Sequence, residues 1–294
     1  MKQLLILSGK GGTGKTTVAS AFIRLAQVHA YADCDVDAPN LHLLAHQNTQ
    51  PQRADYYGMP KAVISADLCT ECGECLKNCR FGAISAVPSF QVNPFACEGC
   101  GVCAAICPSK AITMKPSVAG ELELYRNQNN VFSTAQLRMG SGTSGKLVTE
   151  VKKRMSSAIE NAELAVIDGS PGIGCPVIAS ISGVDLVLIV AEPSLSGISD
   201  MERIVQTAQT FQTPVSVCVN KADTNPAKSD EIKEFCRSHN ISFAGTIPFD
   251  PQAVKAINSG KSIADVDCPS GTAVQKVFHN TIALLFGNSN PLQG

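Results

Sequence analysis

A glycine-rich loop, with an apolar run before it and a helical pattern after it, restricts this chain more than any other feature. The loop is Ser8-Gly9-Lys10-Gly11-Gly12-Thr13-Gly14-Lys15-Thr16-Thr17. Leu4 to Leu7 ahead of it is short and continuously apolar, as a buried parallel strand is. From Thr16 to Gln27 the apolar residues Val18, Ala19, Phe22, Ile23 and Ala26 recur at helical spacing. Strand, glycine loop and helix in that order wrap the backbone closely around a phosphate and point N–H groups inward at a helix N-terminus. Gly11, Gly12, Thr13, Gly14, Lys15, Thr16 and Thr17 are thus the candidate phosphate contacts. Lys15 is expected to reach the β- and γ-phosphates, and the Thr16 hydroxyl to bind Mg²⁺.

The same alternation continues along the chain. Strands are expected over 29–34, 164–167, 184–191, 215–219 and 241–247, with helices over 149–162, 200–210, 230–238 and 270–286. Alternating strands and helices predict an α/β fold, a mostly parallel sheet with helices on both faces. Ligands in such sheets gather at the carboxyl ends of the strands. The glycine loop, Asp35, Asp168 and Asn220 all fall at such ends.

The pattern breaks between 63 and 115. Cys69, Cys72, Cys75 and Cys79 form one run, and Cys97, Cys100, Cys103 and Cys107 repeat its spacing 28 residues later, followed by Pro108. Gly82-Ala83-Ile84 and Lys110-Ala111-Ile112 keep the same offset, so the segment reads as two half-repeats. This spacing is that of proteins holding two [4Fe–4S] clusters, in which the fourth cysteine of each run ligates the other cluster. One cluster then takes Cys69, Cys72, Cys75 and Cys107, and the second takes Cys97, Cys100, Cys103 and Cys79. Zinc is the rival for thiolates, but a zinc ribbon commonly uses two widely separated pairs. Arg80 stands after Cys79 where the repeat has Pro108. The expected organisation is a nucleotide-binding domain over 1–62 and 116–294 and an inserted small α+β ferredoxin-like domain over 63–115.

Thirteen cysteines in a reducing compartment fit cluster ligation better than disulfides, which makes the cytoplasm the expected location. The net charge of −1 gives no electrostatic case for nucleic acid. The stretch from Ile282 to Pro291 has no lysine or arginine, so direct membrane binding through a basic amphipathic tail is not expected. Gly140-x4-Gly145-Lys146 has the spacing of a second phosphate loop, but Leu147 stands where Mg²⁺ binding needs a hydroxyl. It reads as a glycine–serine loop with no clear strand before it.

The second lysine of the loop, in Lys10-Gly11-Gly12-x-Gly14-Lys15-Thr16, resembles the deviant Walker A loop of the MinD/ParA/Mrp and nitrogenase iron-protein family. The chain outside the cysteine segment shares that resemblance, and the whole is similar to superfamily members that contain an inserted ferredoxin domain. The resemblance implies ATP hydrolysis with Mg²⁺ in a homodimer. Lys10 reaches the partner's phosphate, Lys15 stabilises phosphate charge, Asp35 positions the attacking water, and Thr16 with Asp168 holds Mg²⁺. Gly169-Ser170-Pro171-Gly172 is similar to the mobile switch that follows the Mg²⁺ acid. Asp33 and Asp37 flank Asp35 as solvated or supporting carboxylates. Asn220-Lys221-Ala222-Asp223 and Pro248-Phe249-Asp250 resemble base-side segments, with Asn220, Pro248 and Asp250 as candidate contacts. Asn-Lys-x-Asp reads guanine in related GTPases, whereas the family resemblance favours adenine. Cys175 stands seven residues after Asp168, as a bridging-cluster cysteine does in the nitrogenase iron protein, but no further pair accompanies it and a structural role is expected.

Three functions follow as expectations. The first is an ATPase whose nucleotide state gates two [4Fe–4S] clusters for electron transfer to a redox partner. The second is an ATP-dependent assembly factor, like the Mrp branch, acting on a metalloprotein. The third is a MinD-like positioning switch acting through partner proteins.

Overall fold

In the computed structural model, which describes residues 1–45, 47, 49–127, 130–159 and 161–287, the chain begins with β1 (Lys2–Leu7), whose last four residues are wholly buried. Helix α1 (Lys15–Leu25) starts where it does because Gly14 takes a left-handed φ of 93° that favours glycine. There follow β2 (Ala30–Asp33), β3 (Gln52–Tyr57), β4 (Lys61–Ile64), α2 (Glu74–Asn78), β5 (Ile84–Ser85), β6 (Gln91–Val92), α3 (Val102–Ile106) and β7 (Ile112–Lys115). Next come β8 (Val118–Arg126), β9 (Val131–Leu137), α4 (Ser144–Ser157), β10 (Leu164–Asp168), α5 (Cys175–Ile181), β11 (Leu186–Ala191) and α6 (Leu195–Thr210). The chain then forms β12 (Val215–Asn220), α7 (Pro226–Ser238), β13 (Ser242–Ile247), α8 (Pro251–Asn258) and α9 (Pro269–Phe286).

The chain divides into two compact units. Unit 1 contains Met1–Gln52, Glu123–Ala135 and the chain from Gly145 onward; unit 2 contains Arg53–Leu122 and Gln136–Ser144. Unit 2 is thus a longer stretch than the cysteine-rich 63–115, and the chain passes between the units inside β8 and inside β9.

In unit 1 the strands pair in parallel in the order β13-β12-β11-β1-β10-β2-β9. Leu4 and Ile6 pack with Val18 and Phe22 of α1 and with Val274, Val277 and Phe278 of α9 in one buried cluster. Phe22 and Phe278 meet edge to face with ring centroids 5.2 Å apart. Leu5 and Leu7 point to the opposite face by strand alternation and are equally buried, so both faces of the sheet are covered. The parallel order brings the ends of β1, β2, β10, β11 and β12 to one rim, which is where the glycine loop lies.

Two expectations about local structure are corrected. A strand does precede Gly140-x4-Gly145-Lys146: β9 ends at Leu137, and α4 begins at Ser144 rather than at Thr149. Helix α8 was not anticipated; Asp250 caps its N-terminus and Pro251 opens it. The uncharged tail reading rests partly on 288–291, which lie outside the described residues.

Within unit 2 the two half-repeats fold alike. Gly73 and Gly101 take left-handed φ of 76° and 77° and open α2 and α3. β4 pairs antiparallel with β7, and β5 with β6. Ala62, Ala83, Ile84 and Ile112 form a small core together with Cys75 and Cys97.

Candidate functional site

The glycine loop of unit 1 is held from the base side. Asn220, at the end of β12, donates from Nδ2 to the Thr13 carbonyl at 2.6 Å, and Lys221 Nζ donates to the Gly12 carbonyl at 3.0 Å. A Cβ on Gly14 would lie 2.3 Å from Asn220 Nδ2, so only glycine allows this approach. The Thr13 hydroxyl is buried and finds no hydrogen-bond partner among the described residues. A buried unsatisfied hydroxyl is costly in a folded protein, and an acceptor-rich phosphate oxygen satisfies it. By that test the loop fits a phosphate.

Beneath the loop sits a charged group buried at the sheet rim. Lys15 Nζ lies 2.6 Å from Asp168 Oδ1, and the Thr16 hydroxyl donates to Asp168 Oδ2 at 2.7 Å. Burial pulls the Lys15 ammonium down, but the charge of Asp168 and its hydrogen bond more than offset this, and the group stays above the ordinary lysine value. Thr16 and Asp168, the expected Mg²⁺ pair, are therefore in direct contact, both oxygen donors as that hard cation requires.

Asp33 is not solvated, as one of its two expected roles had it. It is fully buried at the end of β2 and accepts from the backbone N–H of Asp35 at 3.0 Å and of Asn40 and Leu41 at 2.9 Å each. Burial, reinforced by the charge of Asp168, pushes its carboxyl up to about 7. Asp33 shapes the turn that presents Asp35. Asp35 lines the cleft with Lys10, Lys15, Thr16 and Ser170, and burial raises its carboxyl too. Asp37 is exposed but lines the same cleft. The segment after Asp168 is tied to the loop and to the end of β2, with Gly172 N–H donating to the Ser8 carbonyl at 3.0 Å and Ser170 Oγ to the Cys34 carbonyl at 2.6 Å.

A second cavity beside the loop is lined by Gly12, Gly14, Asn220, Pro248, Phe249 and Asp250, among others. Both Asp250 oxygens are already engaged, by the Gln252 N–H at 2.8 Å and the Ser270 N–H at 3.2 Å, so its side chain acts as a helix cap. Asp223 Oδ1 accepts from the Phe249 N–H at 2.6 Å, and Asp223 lines a different groove from this cavity. One oxygen of the carboxylate that would read a guanine edge is therefore used to hold residues 248–249.

Sequence reasoning missed Glu192. It follows β11, and its carboxylate meets Lys10 Nζ at 2.7 Å and Lys221 Nζ at 3.4 Å. The available signal was Ala191-Glu192, an acid just past an apolar strand, the same pattern that singled out Asp168.

In unit 2 the eight run cysteines gather as two crossed sets. Cys69, Cys72, Cys75 and Cys107 line one cavity, and Cys79, Cys97, Cys100 and Cys103 line the other. Amide N–H groups point at the fourth sulfur of each run, from Ala83 to Cys79 Sγ at 3.4 Å and from Ala111 to Cys107 Sγ at 3.3 Å. The remaining cysteines lie apart from these sets. Cys34, Cys218, Cys236 and Cys268 are buried, and Cys175 is exposed at the start of α5. Among the described residues, no three His, Cys, Asp or Glu side chains converge closely enough to hold a single metal ion.

Comparison with known proteins agrees with the geometry of unit 1. An uncharacterized protein of Methanocaldococcus jannaschii, MJ0578, is 31% identical over 280 residues, covering 94% of this chain and 95% of its own. The septum site-determining protein MinD of Bacillus subtilis is 24% identical over 149 residues, 49% of this chain and 54% of its own. Among solved structures, MinD of Pyrococcus horikoshii complexed with Mg-ADP superposes with a TM-score of 0.57 at 15% identity, over 96% of each chain. The cell division ATPase MinD of Pyrococcus furiosus gives 0.58 at 15% identity, over 96% of this chain and 99% of that one. At such identities these structures share the fold. The model of the CobQ/CobB/MinD/ParA nucleotide binding domain matches residues 4–263, and with the strand–glycine loop–helix and its buried Lys15–Asp168 pair in place, the chain belongs to that family.

Proposed function

We propose that the protein is an ATP-hydrolysing switch of the MinD/ParA kind that acts through a partner protein. The observation that carries this reading is the contact of Lys15, Thr16 and Asp168 under a glycine loop whose buried Thr13 hydroxyl lacks a partner among the described residues. Lys15 shifts from Asp168 to the phosphates when nucleotide binds; Thr16 and Asp168 would hold Mg²⁺, which would supply neutralisation of phosphate charge. Asp35, held in its turn by Asp33, orients the attacking water, because phosphoryl transfer depends on placement and charge neutralisation. Lys10 supplies charge to the phosphate of a second copy, in an ATP-dependent homodimer. Asp223 has one oxygen bonded to the Phe249 N–H and lies outside the cavity lined by Asn220 and Pro248, which supports adenine over guanine as the base. Release of the Ser170 and Gly172 bonds is the conformational output.

The test is steady-state hydrolysis of MgATP by the full chain and by Asp35→Ala. The variant is expected to bind ATP normally and turn over at least about a hundredfold more slowly. Equal turnover by both proteins removes Asp35 from the mechanism, and absence of hydrolysis in the wild type at any protein concentration defeats the reading.

A second reading is favoured by the two four-cysteine cavities. In it, unit 2 carries two [4Fe–4S] clusters, and nucleotide state gates their use toward a redox partner. The donor set fits. A single zinc ion, with bonds of ≈ 2.3 Å, draws its sulfurs to within about 4 Å of one another, whereas an iron–sulfur cube spreads four thiolates around its core. Bound clusters would supply one-electron transfer. The chain's own contribution is the ligand set, the amide bonds to Cys79 and Cys107, and the small core around them. Iron, sulfide and zinc analysis of anaerobically purified protein decides this. Stoichiometric zinc, or colourless protein after reconstitution with iron and sulfide, sinks the second reading and leaves the first intact.

A further inference from the structure

We infer that Glu192 is a latch on Lys10 that sets the threshold for ATP-dependent pairing of two copies. The inference rests on the proposed role of Lys10 across a homodimer. Four observations within unit 1 carry it. Lys10 Nζ lies 2.7 Å from Glu192 Oε2, and it donates to the hydroxyls of Ser194 and Ser196 at 3.3 Å each. All three partners belong to one short segment between β11 and the first turn of α6. That segment is fixed: the Glu192 carbonyl accepts from the Ser194 N–H at 2.8 Å, Ser194 Oγ caps the Gly197 N–H at 3.1 Å, and a Cβ on Gly197 would lie 2.2 Å from the Glu192 carbonyl. The second Glu192 oxygen is shared with Lys221, which also holds the Gly12 carbonyl.

The chemistry follows from these contacts. An ammonium bound to a carboxylate and two hydroxyls is electrostatically satisfied and offers little to a phosphate elsewhere. Its hydrogen bond also holds the Glu192 carboxyl below the usual glutamate range, so the acid is charged near neutrality. To meet the phosphate of a second copy, Lys10 must leave this arrangement, and the free energy of the contact opposes pairing. Both side chains are partly exposed, about a third for Lys10 and a quarter for Glu192, so the latch is weak enough to open. Lys221 remains on Glu192 and Gly12 when Lys10 departs, which keeps the carboxylate paired and the loop in place. Glu192 is thus a positioning residue, acting through Lys10.

The experiment is sedimentation equilibrium of the full chain, prepared anaerobically, with Mg²⁺ and an ATP analogue that has a non-hydrolysable β–γ bridge. Glu192→Gln is expected to tighten analogue-dependent dimerisation by about tenfold, because two latches open per dimer and each contributes about threefold, the scale of a partly exposed ion pair. Ser196→Ala removes one weaker Lys10 bond and the 3.4 Å contact of Ser196 Oγ with Ser194 Oγ, leaves the Ser194–Gly197 cap bond in place, and is expected to shift the constant in the same direction by less. Lys10→Ala is expected to abolish dimerisation in either background. A merely structural role for Glu192 predicts weakening, never tightening. Unchanged or weaker pairing in both Glu192→Gln and Ser196→Ala, while the wild type dimerises, overturns the latch. If Glu192→Gln does not fold, Ser196→Ala alone decides. A wild type that stays monomeric with the analogue overturns instead the dimer reading on which the latch depends.

Discussion

Replacing Lys15 with methionine tests the charged centre of the site directly. Methionine keeps most of the volume and removes the ammonium. Asp168, fully buried, is then left with the Thr16 hydroxyl as its partner, beside Asp33, whose carboxyl already sits at about 7. Removing one partner of a buried pair costs about 3–5 kcal/mol, because the remaining charge is neither solvated nor compensated. The upper half of that range is expected here, since Lys15 also offsets the charge of Asp33. The companion Lys15→Met/Asp168→Asn removes both charges, keeps an acceptor for Thr16, and is expected to recover most of the loss, as buried pairs replaced together commonly do. The chain has no tryptophan, so urea unfolding is followed by far-UV circular dichroism on nucleotide-free, chelator-treated protein at mildly alkaline pH. A single variant that loses less than about 1 kcal/mol, or a double variant no more stable than the single, refutes the claim that burial of this pair dominates its energetics.

Gly14→Ala is expected to weaken binding of a fluorescent ADP analogue at least about tenfold, since φ of 93° and the 2.3 Å approach to Asn220 Nδ2 both penalise a side chain; wild-type affinity in a folded variant contradicts this. Asp223→Ala frees the 248–249 turn and is expected to weaken ATP several-fold, about the loss of one hydrogen bond. Competition titrations should show GTP binding poorly before and after the change, and GTP binding that rivals ATP in the wild type would falsify the assignment of Asp223. Phe22→Ala removes a fully buried ring packed on Phe278 and is expected to cost about 3–5 kcal/mol in the same unfolding assay; a loss under about 1 kcal/mol contradicts that packing.

Much of unit 1 is legible because its strands are buried on both faces. Leu4–Leu7, Leu164–Ile167 and Leu186–Ala191 read as apolar runs, and each ends at a residue of the nucleotide cleft or its surroundings. Asp35 and Asp168 are found by the same logic of strand ends. Glu192 escaped it because no element is expected over the 192–199 stretch, between the expected strand and the expected helix. The strands β3, β8 and β9 went unread for another reason. Gln52–Tyr57 has no apolar alternation, and Val118–Arg126 places glutamates between its leucines in a pattern that a search for buried runs passes over. Asp33 and Asp35 cannot be told apart from spacing alone. Their roles separate only when three backbone N–H groups close on Asp33. In unit 2 the repeat of 28 residues was visible, and the structure gives both halves matching glycines and helices.

The polypeptide passes between the two units at 52/53, 122/123, 135/136 and 144/145. A cassette joined by two strands of chain can be cut out and the ends resealed. Here, excision of 63–115 alone would strand the 136–144 stretch without the fold it belongs to, and one proteolytic nick at any passage leaves the halves covalently tethered. Transplanting the cysteine-bearing unit to another host would require two separate grafts made together.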